Sequence, residues 1–131
     1  MSDLELCYLP ATEALQRFRS KTLSPVELLD AMLQRIEETE PVINALTFKH
    51  FDEARDRAKK AEGKYAVGKR TGALEGLPVG IKDENYIKGK PTSNGSLINT
   101  DFVADTTSVN NQRILRAGAF VHPRTARPDF S

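Results

Sequence analysis

The sequence predicts an α/β chain, with helices in its first half and two strands separated by loops and a helix in its second half. Two observations carry this prediction. Apolar residues in the first half recur at steps of three and four, which is the period of an amphipathic helix. The second half is interrupted by glycine and proline and contains two short apolar runs that are typical of strands.

Two helices are expected in the first third of the chain. The earlier one spans residues 12–20 and has an apolar side made by Ala14, Leu15 and Phe18. The later one begins at Ser24, whose hydroxyl can accept from the backbone N–H of Glu27 while the Glu27 side chain reaches back, which forms a capping box. It is expected to stop at Pro41. Its apolar stripe consists of Val26, Leu28, Leu29, Met32, Leu33 and Ile36.

A third helix is expected over residues 50–62, ending at Gly63. Its apolar seam is thin, and its many charged residues are expected to form a solvated face with local ion pairs. Residues 64–72 have no period and are interpreted as a loop. The basic residues of that loop are a weak signal for phosphate binding.

The second half alternates between strands and turns. Residues 77–83 alternate apolar residues and predict a short strand, and residues 91–96 carry turn-forming residues. A fourth helix is expected over residues 107–117 and ends at Gly118. Residues 119–122 predict a second strand that Pro123 stops.

Composition limits the classes of partner. A chain of 131 residues with 39% apolar and 28% charged residues is typical of one soluble domain. The net charge of +1 gives no overall attraction to nucleic acid or to an anionic membrane, so neither partner is expected. No apolar run approaches the roughly 20 residues that cross a bilayer. The acidic N-terminus does not resemble a signal peptide, and a single cysteine fits a reducing compartment, so a cytoplasmic protein is expected.

The usual metal, thiol and phosphate sites are not indicated. His50 and His122 are far apart and have no partner at a metal-ligand spacing, so no metal is expected. Cys7 has no neighbouring base that would activate it as a nucleophile. Residues 89–92 imitate the end of a phosphate-binding loop, but a proline interrupts them and the upstream glycine is missing.

Lys82 is the candidate for chemistry. It lies at the end of the expected strand, on the opposite face from Leu77 and Ile81, and Gly76 and Gly80 allow backbone to approach closely there. A lysine at a strand end can be a simple surface charge. In a site of low polarity, however, its neutral amine becomes accessible and can act as a base.

Several segments resemble the amidase signature family. Residues 74–83 (LEGLPVGIKD) are similar to the segment around that family's catalytic lysine, and residues 88–96 (KGKPTSNGS) look like the loop that follows, with its Thr-x-x-Gly-Ser ending. Further matching segments are residues 24–29 (SPVELL), 44–45 (NA), 115–119 (LRAGA) and 124–130 (RTARPDF). In this order and spacing the resemblance covers nearly the whole chain, from about residue 12 to residue 131.

The resemblance implies an amide hydrolase of the Ser–cis-Ser–Lys type with Lys82 as the base. In that family the lysine is thought to act through a bridging serine, which activates a nucleophilic serine that attacks the amide carbonyl. A glycine-rich loop donates backbone N–H groups to the oxyanion. No cofactor is expected. The implied fold has helices that lead into a large mixed sheet flanked by helices. Residues 1–131 would be the N-terminal part of one such domain, with a helical segment (1–63), then the lysine loop, strands and one helix (64–131), and an incomplete sheet.

The chain also departs from the family pattern. The family's glycine- and serine-rich segment lies beyond the region that ends at Phe130, so neither serine of the mechanism can be assigned here. Ser96 matches a position that is not the nucleophile, and Ser131 is only where the chain stops. Three residues differ from the family's usual choice, namely Asn111, Pro123 and Ala126.

These observations leave different classes of function open. The chain is interpreted as the N-terminal part of an amidase that acts on a small-molecule amide in the complete enzyme and is inactive alone. The alternatives are a non-catalytic helical interaction domain derived from an amidase, or part of a glutamine-dependent amidotransferase. Its strand edges and the stripe of the helix at residues 24–41 are expected to cause self-association, or association with a C-terminal part that is missing.

Overall fold

The computed structural model describes residues 1–130, which contain five α-helices, three β-strands and one short 3-10 helix. The helices are α1 (Asp3–Cys7), α2 (Ala11–Ser20), α3 (Pro25–Ile43), α4 (Phe51–Ala66) and α5 (Val109–Arg116). The strands are β1 (Leu46–Lys49), β2 (Pro78–Lys82) and β3 (Phe120–Thr125), and the 3-10 helix spans Leu97–Asn99. The predicted α/β class is confirmed.

The three strands form one small mixed sheet with β3 in the centre, in the order β1–β3–β2. β3 pairs antiparallel with β1 and parallel with β2. The ladder with β2 is irregular, because the two steps from Val79 to Ile81 match three steps from Val121 to Arg124 on β3. The additional residue makes a β-bulge, which bends β3 beside the end of β2 where Lys82 lies.

The core lies between the helices and one face of the sheet. The capping box predicted at Ser24 is present, since Ser24 accepts from Glu27 N and Glu27 accepts from Ser24 N. α3 packs against α1 and α4, and α4 packs against β3. The residues buried at these contacts include Leu28, Leu29, Leu33, Ala54, Ala58 and Phe120, and Phe18 of α2 is buried in the same core as Leu28. The apolar stripe of α3, which was expected to cause self-association, is therefore mostly covered by other parts of the same chain.

Two helices extend beyond their expected ends. α3 continues past Pro41 to Ile43, because a proline in the last turn removes only one helical hydrogen bond, and Asn44 then ends the helix in the left-handed conformation. α4 continues past Gly63 because Tyr65 is buried against Phe18, with the ring centroids 5.8 Å apart. Burial of an aromatic ring outweighs the modest helix penalty of one glycine.

The strands also differ from the prediction. β3 does not stop at Pro123 but continues to Thr125, and Pro123 lies opposite Lys49 of β1. The bulge accommodates the missing N–H of the proline. β1 was not predicted from the sequence, because four residues of mixed polarity give too weak an alternation to recognise.

Close backbone approach is confirmed at Gly76. It has φ +84°, and a Cβ placed on it would lie 2.7 Å from Cγ of Pro25. A side chain at this position would therefore push the segment that leads into β2 away from α3. Gly80 has only ordinary contacts, the nearest at 3.5 Å from Thr125 Cγ2, so that position does not require a glycine on steric grounds.

Candidate functional site

Lys82 is the last residue of β2, as the alternation predicted. Its neighbours Ile81 and Asp83 are buried, whereas the Lys82 side chain is 45% exposed. The strand therefore directs two side chains inward and the amine outward. The Nζ atom of Lys82 forms an ion pair with Oε1 of Glu84 at 3.3 Å.

Glu84 connects Lys82 to a second cation. Its Oε2 lies 3.0 Å from Nη1 of Arg127, whose side chain is almost fully buried. The same Nη1 donates to Oδ1 of Asn94 at 2.8 Å. A chain of polar contacts thus runs from the amine of Lys82 to the turn at Asn94.

A buried carboxylate lies directly after the lysine. Asp83 is fully buried and accepts at Oδ1 from the backbone N–H of Ser93 at 2.9 Å, and at Oδ2 from the Ser93 hydroxyl. The Asp83 carbonyl also accepts from Asn94 N at 3.1 Å. A buried carboxylate is tolerated only where donors satisfy it, so Asp83 ties the end of β2 firmly to the turn that begins at Thr92.

A buried guanidinium completes this arrangement. Arg124 on β3 is 0% exposed, and its five hydrogen bonds all reach neutral oxygen atoms. Its acceptors are the carbonyl oxygens of Ile81 (3.3 Å), Lys82 (3.3 Å), Asn85 (2.7 Å) and Pro91 (2.9 Å) and the hydroxyl of Thr92 (3.4 Å). The anion beside it is Asp83, whose Oδ1 lies 4.0 Å away. Burial lowers the pKa of the Arg124 guanidinium, and the neighbouring negative charge of Asp83 opposes that effect.

The predicted turn is present after Thr92. Asn94 and Gly95 both have positive φ, at 54° and 72°. A Cβ on Gly95 would lie 2.7 Å from the carbonyl oxygen of Arg127, so the turn packs directly against the segment after β3. The hydroxyl of Ser96 accepts from Ile98 N at 3.3 Å and caps the 3-10 helix.

The two histidines lie at different places, on β3 and directly before α4. His122 is buried on β3, and its Nδ1 donates to the carbonyl of Val79 at 3.1 Å. Burial lowers the pKa of His122 to about 4, although the bond to Val79 opposes this. His50 precedes α4, and burial, followed by the charge of Lys90, lowers its pKa. Within residues 1–130, no three His, Cys, Asp or Glu side chains come together in a way that could hold a metal.

Two further residues singled out from the sequence, Asn111 and Cys7, are buried or partly buried. The Asn111 amide is buried, and its Nδ2 donates to the Tyr86 carbonyl at 3.1 Å. Cys7 is partly buried, and burial raises the pKa of its thiol, which disfavours the thiolate. Ser131 lies outside the described residues.

Sequence reasoning located Lys82 but missed the buried framework behind it. Arg124 and Asp83 stood out only as parts of longer motifs. The available signal was the strand alternation, since Asp83 lies on the same face as Ile81 and is therefore directed inward. For Arg124 this signal was lost, because the strand was expected to stop at Pro123.

The arrangement presents an accessible amine on a rigid backbone. Among residues 1–130, no hydrogen bond joins Lys82 to a serine, since the Ser93 hydroxyl is engaged by Asp83 and the Ser96 hydroxyl by Ile98. The described part of the chain therefore offers a base candidate and no nucleophile next to it.

No helix in residues 1–130 is long and apolar enough to cross a membrane.

Comparisons with known proteins agree on one family. The sequence model of the family described as Amidase matches residues 27–131. A glutamyl-tRNA(Gln) amidotransferase subunit from Gloeothece citriformis (strain PCC 7424) is 36% identical over 116 residues, which are 88% of this chain and 24% of that protein.

Solved structures give the same result. A bacterial aryl acylamidase of the amidase signature enzymes has a TM-score of 0.88 and 26% identity, covering 96% of this chain and 26% of that chain. The native peptide amidase of Stenotrophomonas maltophilia has a TM-score of 0.79 and 28% identity, covering 89% of this chain and 24% of that chain. The chain thus spans about a quarter of the length of these relatives.

Proposed function

This chain belongs to the amidase family, and from that membership we propose that Lys82 is the general base of an amide hydrolase that works by a Ser–cis-Ser–Lys mechanism. The observation that carries the proposal is the contrast at the end of β2. The backbone of Lys82 is tied to buried groups on both sides, while its amine extends outward and pairs with the side chain of Glu84. A lysine that takes a proton from a partner side chain needs a backbone held in place and an amine that the partner can reach.

The proposed reaction transfers protons in sequence. The amine of Lys82 takes the proton of a bridging serine, which takes the proton of the nucleophilic serine. The nucleophile's oxygen bonds to the amide carbonyl carbon, and the C–N bond breaks as the leaving nitrogen takes a proton back. Water then hydrolyses the acyl-serine. In the family, both serines come from a segment that follows the region matched by Phe130, so we propose that residues 1–131 alone hydrolyse no amide.

The substrate is a carboxylic amide. Relatives bear names as different as aryl acylamidase, peptide amidase and glutamyl-tRNA(Gln) amidotransferase. The last name supports a second candidate, in which this chain is part of a glutamine-dependent amidotransferase. The two candidates differ in their substrate, because an amidotransferase uses glutamine and passes its nitrogen to an acceptor, whereas a simple amidase releases the amine to water. For either candidate we propose a cytoplasmic location, on the ground of the single cysteine.

The test is a reconstituted assay. Residues 1–131 are assayed against small amides, acyl-anilides and glutamine, both alone and mixed with a polypeptide that carries the family's glycine- and serine-rich segment. We expect turnover only in the mixture, and we expect Lys82→Ala to lower it at least about 100-fold, to a small residual rate. Lys69→Ala is the matched control, since Lys69 is an exposed lysine in the loop before β2.

Each outcome separates the candidate functions. Turnover of acyl-anilides supports an amidase, whereas turnover of glutamine and of no other substrate supports the amidotransferase. A mixture that binds tightly but turns over nothing favours a non-catalytic interaction domain. Turnover by residues 1–131 alone that survives Lys82→Ala contradicts the proposal.

A further inference from the structure

The strongest unexplained feature of the molecule is the buried guanidinium of Arg124. An arginine buried to 0% exposure among neutral acceptors is costly, because its charge must be compensated by hydrogen bonds. All three nitrogens of the Arg124 guanidinium donate hydrogen bonds, to five oxygen atoms in total. These hydrogen bonds hold the backbone segments that supply the acceptors.

The acceptors of Arg124 fall into two segments. Three of them belong to residues 81–85, which contain Lys82, and two belong to residues 91–92, which begin the Thr-x-x-Gly-Ser turn. Asp83 joins the same two segments independently, through both of its contacts with Ser93. Two separate ties therefore make the lysine end of β2 and the turn into one rigid unit.

We propose that Arg124 is a positioning residue for Lys82. It donates to the carbonyl oxygen of Lys82 itself and to those of Ile81 and Asn85, so it fixes the backbone from which the lysine side chain starts. Its guanidinium points to the buried side of the strand, away from the exposed amine, so it acts through Lys82 and does not touch the reacting atoms. This inference rests on the proposed function of Lys82 as the base.

Lysine cannot replace arginine fully at this position. The guanidinium donates from three nitrogen atoms held in a plane, whereas an ammonium group offers three donors from one nitrogen. Arg124→Lys therefore keeps the charge and loses some of the ties to residues 81–85 or to residues 91–92. It is the informative variant, because Arg124→Met leaves Asp83 without its cation and can prevent folding.

The first experiment does not depend on activity. The lysine amines of residues 1–131 are dimethylated with a ¹³C label, and the signal of Lys82 is assigned by its loss in Lys82→Arg. We expect Arg124→Lys to shift and broaden the Lys82 signal while the signals of exposed lysines such as Lys69 stay in place. The matched control is Arg113→Met, which removes an exposed arginine of α5. An unchanged Lys82 signal in a folded Arg124→Lys protein would overturn the proposal.

The second experiment measures coupling in the reconstituted enzyme. We expect Arg124→Lys to lower kcat by about 10- to 100-fold, the size of effect that a displacement of about 1 Å produces, with little change in KM. In a Lys82→Ala background the same substitution is expected to lower the residual rate no further, because its effect passes through the lysine. An equal loss in both backgrounds would show that Arg124 acts on the fold alone. If the mixture is inactive with the unaltered chain, the proposed function fails, while the first experiment still decides whether Arg124 positions Lys82.

Discussion

Asp83 and Arg124 are fully buried groups of opposite charge at the end of β2. Their atoms approach to 4.0 Å, and each is held mainly by neutral partners, with Ser93 on the carboxylate and backbone carbonyls on the guanidinium. Removing one member of a buried pair leaves the other without a counter-charge. At the scale of single residues, this pair is the most sensitive point of the site.

The first prediction concerns this pair. Asp83→Ala is expected to lower the free energy of unfolding by about 3–5 kcal/mol, because it leaves the buried Arg124 without a counter-charge and the N–H and hydroxyl of Ser93 without an acceptor. Urea unfolding measures the difference. Asp56→Ala on the exposed face of α4 is the control and is expected to change stability by less than about 0.5 kcal/mol. Equal effects of the two substitutions would contradict the description of Asp83 as a buried tie.

A second residue, His122, predicts a pH dependence. Its pKa is about 4 in the folded chain, below the ordinary value of about 6.5 that it regains on unfolding. Between these two pH values the unfolded state binds a proton that the folded state does not. The contribution of His122 to the free energy of unfolding is therefore complete above about pH 6.5 and is lost as the pH falls towards 4. The full loss amounts to roughly 3 kcal/mol.

The measurement is urea unfolding at a series of pH values for the unaltered chain and for His122→Gln. Glutamine keeps an N–H donor for the Val79 carbonyl but does not titrate. We expect the stability of His122→Gln to fall less steeply between pH 6.5 and 4. Parallel curves for the two proteins would contradict this account of His122.

Lys82 shows how far single residues can be understood from the sequence. Its place at a strand end followed from alternation, and its candidate role followed from resemblance. The partners behind it could not be found in the same way, because Arg124 reaches back more than thirty residues to segments that only the folded sheet brings close. Hydrogen bonds between distant segments leave no local pattern.

At the scale of elements, the turn between Thr92 and Ser96 holds the site together. Gly95 has φ +72°, and its α-carbon faces the carbonyl oxygen of Arg127. Gly68 has a similar φ of +68°, but nothing lies within 4 Å of the position that its Cβ would occupy. The two glycines therefore separate the cost of the backbone conformation from the cost of a clash.

The third prediction uses this pair of glycines. Gly68→Ala is expected to destabilise the chain by about 1 kcal/mol, through backbone conformation alone. Gly95→Ala is expected to cost about 1–3 kcal/mol more, because the added methyl group forces the turn away from residue 127. Thermal unfolding of both variants gives the comparison. Equal losses would show that the turn does not pack as closely as described.

The prediction of elements succeeded where local signals are strong and failed where packing decides. The capping box at Ser24 marked the start of α3 correctly. The ends of α3, α4 and β3 lay beyond the proline or glycine that was expected to stop them. Partners distant in sequence decide such ends, as at α4, where the carbonyl of Glu75 accepts from the Tyr65 hydroxyl.

At the scale of the whole molecule, apolar side chains remain exposed beside the site. Leu97 and Ile98 of the 3-10 helix are 89% and 87% exposed, and they follow the turn that contacts the end of β2. β1 and β2 are edge strands of a sheet of only three strands within the described residues. Exposed apolar residues next to open strand edges favour association.

The fourth prediction is that residues 1–131 self-associate and bind a hydrophobic dye. The double substitution of Leu97 and Ile98 to serine is expected to reduce both effects, because it removes the most exposed apolar pair. Val67→Ser is the control, since Val67 is an exposed apolar residue that immediately follows α4. Sedimentation and dye fluorescence measure the result. A monomer at high concentration that binds no dye would refute this prediction.

The central claim is that Lys82 activates a serine supplied by another segment, and trapping of the acyl-enzyme tests it most directly. Residues 1–131, mixed with a polypeptide that carries the serine segment, are treated with an activated ester or anilide, and the acyl adduct on serine is followed by mass spectrometry. We predict that the adduct forms with the unaltered chain and forms at least about 100-fold more slowly with Lys82→Ala. Acylation at the same rate in both mixtures would contradict the claim.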